Sequence, residues 1–392
     1  MSTIGIESVR EQEKPEKIKP RLIPSPKLGE WLREMGGSLV FTTYQSARVF
    51  FLSADEQGET IALERIIGSA MGIAVDKEKL WITNKEQAWR FSNVGARTLK
   101  LEEDAPAVSY DAVYMPRKGM FLGGCDTHDV LANIHYEGKE HELLFVNTNF
   151  SCISAIDSYY NFVPVWKPPF ISALSPEDRC HLNGMGARDG KLAYATACGE
   201  SDTGYGWKPL KNGGGMLIDV QTNEIITRGL SMPHSPRWHD GKVWLLNSGD
   251  GQFGYVIPEN GEFVPVIDCP GFARGLSIVG DYAVIGLSKL RENTFASGLK
   301  IKEKLENLHV AQRCGVMIVD LRTSKMVHWL TIEGITELYD VAFLAGVERP
   351  FTPGFSYPNL HRQILNIPSV FPLEAPKRIE PETTKKEEGQ QS

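Results

Sequence analysis

HSPRWHDGKVWLLNS, residues 234–248, holds the unit from which the fold is read. A polar residue opens an apolar strand, Asp240-Gly241 makes the turn, and Val243 to Leu246 form the returning strand. Asp-Gly between β-forming residues is a strong hairpin signal, because a tight primed turn needs positive φ at both centres. The unit recurs as MGIAVDKEKLWITN (71–84), NGMGARDGKLAYAT (183–196) and RGLSIVGDYAVIGLS (274–288), with Asp189-Gly190 repeating the turn chemistry.

A second hairpin follows the first. It reads RVFFLSADEQGETIAL (48–63), GMLIDVQTNEII (215–226), GYVIPENGEFVPV (254–266) and GVMIVDLRTSKMVHW (315–329). Two hairpins in succession make a four-stranded sheet, and a tandem series of such sheets is a β-propeller. First strands begin near residues 71, 128, 183, 234, 274 and 339, which predicts an all-β, six-bladed β-propeller. The segment 38–63 has later strands without a first one, and Tyr339-DVAFL is a first strand with nothing regular after it. Pairing of these N- and C-terminal strands closes the ring and removes open edges. YDAVYMPRKGMFLGG (110–124) reads as an extra strand pair, which makes seven blades the alternative count. The insert 291–313 has helical character and is expected over one face.

Residues 1–28 and 356–392 are rich in charge and proline and poor in large apolar residues, so they read as disordered or extended tails around a propeller at 29–355. The net charge of −7, with no basic stripe, argues against nucleic acid. No apolar run approaches the roughly 18 residues of a membrane helix, and the charged start is unlike a secretory signal. Six scattered cysteines without a C-x-x-C pair fit reduced thiols and a cytoplasmic location. The Trp166–Phe170 segment, with two aromatics on a proline-stiffened loop, is a candidate lip for a sugar or a partner.

Aligning the repeats stacks Met71, His128, Asn183, His234, Arg274 and Tyr339 at the position that opens each first strand. Innermost strands line the channel, so these residues should ring one mouth, and convergent polar groups in a concavity mark a ligand site. His128, His234 and Glu337 are the candidate acid–base groups. His128 and His234 could also hold a divalent transition metal, with Asp126, Asp129 or Glu337 as an oxygen donor. Asn183, His181, Arg237, Arg274, Asn147, Asn247 and Lys289 are the candidate ligand-binding residues. Carboxylates with cations suit proton abstraction next to a carboxylate, or hydrolysis of a sugar or lactone. The expected function is binding of a small polar or anionic compound, either alone or with turnover of the lyase or hydrolase type. The alternative is a non-catalytic scaffold that binds another protein.

The motifs DTHDV (126–130), FVNTNFSC (145–152), PEDRCHLNG (176–184), GESDT (199–203), SMPHSPRWHDGKVWLLNSG (231–249) and GLSK (286–289) carry a resemblance. Over residues 36–355 the chain resembles a bacterial family of conserved hypothetical proteins of unknown function. The resemblance implies that the mouth residues belong to that family's pattern, and it transfers no catalytic role.

Overall fold

In the computed structural model the chain is described at residues 19–76, 78–101, 106–290, 298–355 and 357–364. Blade 1 joins Asp340–Ala345 to Gly37–Thr43, Arg48–Ala54 and Thr60–Ile66. Blade 2 contains Ile73–Asp76, Lys79–Thr83, Gln87–Asn93 and Ala112–Phe121. Blade 3 contains Thr127–Tyr136, Lys139–Asn147, Cys152–Ala155 and Val163–Trp166, and blade 4 Leu182–Arg188, Lys191–Ala197, Gly215–Asp219 and Ile225–Leu230. Blade 5 contains Pro233–His239, Lys242–Asn247, Gln252–Ile257 and Glu262–Asp268, and blade 6 Phe272–Val279, Tyr282–Ser288, Gly315–Asp320 and Lys325–Glu333. Within each blade the neighbouring strands are antiparallel, and the innermost strands pack side by side in ring order.

The two ends of the chain meet in blade 1. Gly37–Thr42 pairs with Asp340–Ala345, and that last strand packs beside the innermost strands of blades 2 and 6. The stretch behind the seven-blade alternative is the fourth strand of blade 2: Tyr114 pairs Asn93 and Phe121 pairs Gln87. The Asp-Gly turns behave as their chemistry requires, with φ of 52° and 73° at Asp189-Gly190 and 47° and 72° at Asp240-Gly241.

The tails are shorter than the sequence suggests. Arg21–Pro24 adds a fifth strand to blade 6 by pairing with Leu330–Glu333, and Leu28–Glu34 is a helix whose Leu28, Trp31 and Leu32 are buried. At the other end Leu360 and Ile364 bury against Leu99, Val113 and Phe351. Hydrophobic anchors therefore extend the folded unit at both ends, and residues 1–18 and 365–392 lie outside the described residues.

Cores lie between blades. Leu39, Phe41 and Phe50 of blade 1 meet Val284, Val316 and Ile318 of blade 6, and Trp244, Leu246 and Phe253 of blade 5 meet Ala273, Ile285 and Met317. Burying one such side chain contributes about 1.5–3 kcal/mol. A blade therefore folds against its neighbours rather than alone. The helix Lys300–Asn307, from the predicted insert, buries Ile301 and Leu305 against Cys198, Trp207, Met232 and Phe272.

Candidate functional site

In blades 3 to 6 the position that opens the innermost strand is a place of irregular backbone. Register shifts fall between Thr127 and Val130, Leu182 and Gly184, His234 and Arg237, and Arg274 and Leu276. A bulge of this kind bends the strand and re-aims the side chain. Blades also approach closely here: a Cβ on Gly184 would lie 2.7 Å from Pro236 Cδ, and one on Gly275 2.7 Å from Asp340 Cα. The aligned polar residues His128, Asn183, His234, Arg274 and Tyr339 come together there around one small void.

A cavity of about 530 Å³ opens at this mouth. Met71, His128, Arg274 and Tyr339 line it together with His181, Glu337, Tyr44, Lys85, Asp126, Trp207, Lys208 and Lys211. Beneath lies a void of only about 10 Å³, bounded by Asn183, His234, Asp129 and Asp340 and sharing His128, Arg274 and Tyr339 with the floor above.

His128 and His234 are held alike on one side. His128 Nδ1 lies 2.9 Å from the Asp126 carbonyl and 2.8 Å from Thr148 Oγ1, whose own proton goes to the Leu182 carbonyl at 2.7 Å. His234 Nδ1 lies 2.9 Å from the Met232 carbonyl and 3.0 Å from Ser248 Oγ, which donates to the Ala273 carbonyl at 2.7 Å. A carbonyl only accepts, so Nδ1 carries the proton in both rings and Nε2 carries the lone pair. Burial pushes both imidazoles below their ordinary pKa, His128 to about 4 and His234 well down, with the Arg274 charge adding to the effect.

The other side of each ring differs. Asn183 Nδ2 donates to His234 Nε2 at 3.3 Å, while Thr196 Oγ1 donates to Asn183 Oδ1 at 3.0 Å and fixes the amide. His128 Nε2 takes no hydrogen bond among the described residues, and the ring meets His181 edge-on with centroids 5.0 Å apart.

His181 is built as an oriented imidazole. Its Nδ1 lies 3.1 and 3.0 Å from the two oxygens of Asp178, and Trp207 Nε1 donates to Asp178 Oδ2 at 2.9 Å. The Trp207 ring stacks on His181 with centroids 4.2 Å apart. Asp126, Asp178 and His181 all hold left-handed backbone conformations, with φ of 52°, 46° and 49°. Such residues cost of order 1 kcal/mol each and concentrate where function demands a geometry.

Arg274 and Glu337 are both buried, with Nη1 3.4 Å from Oε1, and the guanidinium lies 4.9 Å from the centre of the Tyr339 ring. Burial pushes the Tyr339 phenol well above its ordinary pKa, so it stays a proton donor. A hydrogen bond to Tyr44 raises Lys85, and its ammonium sits 5.3 Å from the centre of that ring.

Other sequence candidates are placed elsewhere. Arg237 does not face this cavity: it donates twice to Asp129 at 2.9 Å and also bonds the carbonyls of Met185 and Leu276, at the floor of a separate cavity at Ile73, Phe343 and their neighbours. Asn147 is buried in blade 3 and accepts from Phe150 N, and Asn247 holds Ser231 N, Asp250 and Gln252. Neither lines a cavity described above, and Lys289 is exposed outside it. Both asparagine amide oxygens are taken up by nearby backbone N–H groups, which need a partner when buried. Trp166 and Phe170 form no lip: Trp166 is buried and donates to Asn223 at 2.8 Å, while Phe170 packs on the blade 3 core.

Among the described residues no three His, Cys, Asp or Glu side chains converge as a metal-holding group. For the metal expected on His128 and His234, one imidazole nitrogen is bare rather than two, because Asn183 occupies the other.

Trp207, Lys208 and Lys211 were not singled out for this site by sequence reasoning. Their signal was present: an aromatic and basic segment, WKPLK at 207–211, in a long loop between two strands of blade 4.

Fold and mouth together define a β-propeller with polar side chains gathered at one end of its channel. Among solved structures the chain is similar to one titled as the crystal structure of a nidogen/laminin complex, at TM-score 0.50 and 11% identity over 79% of this chain and 99% of that one. It is also similar to a protein of unknown function from Bacteroides caccae, at TM-score 0.44 and 9% identity over 79% and 99% of the two chains. A third likeness is to the Neurospora crassa Pan2 WD40 domain, at TM-score 0.32 and 12% identity over 66% and 64%. At such identities the likeness concerns the fold alone. No curated protein matches the chain. Residues 26–352 match the domain of unknown function DUF4915, and the chain belongs to that family. Among the described residues no helix is long and apolar enough to cross a membrane.

Proposed function

We propose that the mouth at His128 and His181 binds a small polar or anionic compound and moves a proton on it, in a reaction of the lyase or hydrolase type. The observation that carries this reading is the Asp178–His181–Trp207 arrangement on the wall of a 530 Å³ cavity. Asp178 accepts a hydrogen bond from the Nδ1–H of His181, which leaves Nε2 as the nitrogen that exchanges a proton with the ligand. Trp207 holds both partners in place. His128, neutral and with a bare Nε2, accepts a hydrogen bond from the ligand. Tyr339 donates one, and Arg274 faces the charge that develops when a proton leaves. A positioned base of this kind contributes about 10²–10⁴-fold. Six free, buried cysteines support the cytoplasmic expectation that accompanies this reading.

The test is a screen of small acids, sugars and lactones against the parent and His181→Ala proteins, following binding by calorimetry and turnover by nuclear magnetic resonance. Ligand-dependent signals that vanish in a folded variant are expected. A folded His181→Ala protein that binds and converts every compound as the parent does would end the reading.

The scaffold reading draws support from one surface. Phe121 of blade 2 and Tyr159 and Tyr160 of blade 3 are 59%, 85% and 64% exposed where the two blades meet, and there Asn161 donates to the Phe121 carbonyl. Exposed aromatics of this kind suit contact with another protein.

A further inference from the structure

Charge and hydrogen-bonding capacity narrow the ligand of this mouth, and the argument rests on the proton-transfer reading above. Lys85, Lys208, Lys211 and Arg274 face the cavity with Asp126 and Glu337, and the buried Asp178 stands directly behind His181, so four cations against three carboxylates leave a surplus of one. A monoanion matches that balance. A phosphate ester, near −2 at neutral pH, exceeds it. The wall also offers unequal hydrogen-bonding partners: the bare Nε2 of His128 accepts only, and the Tyr339 hydroxyl has a single long contact, 3.5 Å, with the Thr127 carbonyl. Ligand hydroxyls satisfy both. Flanking rings at Tyr44, Trp207 and Tyr339 give the cavity apolar walls suited to the faces of a hydroxylated carbon frame.

We infer that the mouth takes a hydroxylated monocarboxylate, a sugar acid or comparable hydroxy acid, with its carboxylate toward Arg274 and its hydroxyls toward His128 and Tyr339. Proton transfer then falls on the carbon next to the carboxylate. His181 Nε2 takes that proton, and the C–H electron pair becomes the C=C of an enolate whose charge rests on the carboxylate oxygens beside Arg274. Expulsion of an oxygen substituent from the next carbon breaks that C–O bond and forms the unsaturated acid. The imidazolium proton passes to the departing oxygen, so atoms and charge balance as water or an alcohol leaves.

The experiment is calorimetry with glucuronate, galacturonate, gluconate and lactate, against glucose and glucose 6-phosphate, together with proton-to-deuterium exchange at the carbon beside the carboxylate in heavy water. At least one carboxylate is expected to bind about tenfold tighter than glucose and glucose 6-phosphate, more weakly as salt rises. Lys85→Met and Lys208→Met, both on the mouth's solvent side, are each expected to weaken it roughly two- to fivefold. Exchange is expected in the parent and lost in His181→Ala. Equal or tighter binding of glucose or glucose 6-phosphate overturns the carboxylate assignment; if exchange on that ligand still needs His181, the proton-transfer reading survives. Carboxylate binding without exchange keeps the assignment and overturns proton transfer. No binding by any member of the panel overturns both.

Discussion

Asn183 Nδ2 lies 3.3 Å from His234 Nε2, and this one contact separates two histidines that the chain writes alike. His128 and His234 share the backbone carbonyl, the hydroxyl partner and the protonated Nδ1. In blade 5 the remaining lone pair is used inside the protein. In blade 3 no described residue takes it, and the ring lines the larger cavity. The ring of polar residues is therefore divided between structure and site.

Asn183→Ala is expected to destabilise the fold while sparing the larger cavity. Thr196 Oγ1 and His234 Nε2 both lose their partner in a buried place, which costs about 1–3 kcal/mol. Urea denaturation measures it, and an unchanged midpoint would show that the contact is energetically idle.

Arg237→Met leaves the Asp129 carboxylate buried without its bidentate cation, and a loss of about 3–5 kcal/mol is expected. Arg237→Lys restores little, because an ammonium cannot reproduce the two-pronged contact or reach the Met185 and Leu276 carbonyls together. The double change Asp129→Asn with Arg237→Met is expected to recover part of the loss. Chemical denaturation of the three variants checks all of this.

The His128 imidazole should stay neutral through the range where an exposed histidine titrates. Its folded pKa is about 4, against roughly 6.5 in the unfolded chain. Between those values the unfolded chain binds more protons, so His128 favours folding above about 6.5 and that contribution is lost as pH falls through 4. Nitrogen-15 resonances of the ring should show Nδ1–H at pH 6, and His128→Gln should flatten the acid limb of the stability curve.

Asp340 has the opposite sign. Burial, with the Asp129 charge beside it, raises the carboxyl to about 7, although Arg237 and the amides of Ile73 and Val341 pull it down. Its unfolded value is about 3.9, so its stabilising contribution is full below that and is lost as pH rises through 7. Asp340→Asn should flatten this fall between about pH 4 and 7, whatever its offset in absolute stability. A wild-type slope retained in the variant would refute the assignment.

The sequence by itself determined the blades. Asp189-Gly190 and Asp240-Gly241 forced their turns locally, and alternation around them set which residues face a neighbouring blade, so hairpins, repeat and closing strand were legible from near neighbours. It also determined that His128, Asn183, His234, Arg274 and Tyr339 occupy equivalent positions. Only the tertiary structure decided which of them serve the cavity. That division depends on which group from another blade reaches each side chain, as Asn183 reaches His234 from the next blade and Arg237 reaches Asp129 from two blades away. The WKPLK segment marked Trp207 and Lys208 as an aromatic and basic loop, but that it shares a wall with Lys85 was hidden, since these loops meet only after the ring has formed. A repeat encodes its own hydrogen bonds through residues close in sequence. A site at a channel mouth is made of contacts between repeats, whose partners no local spacing specifies.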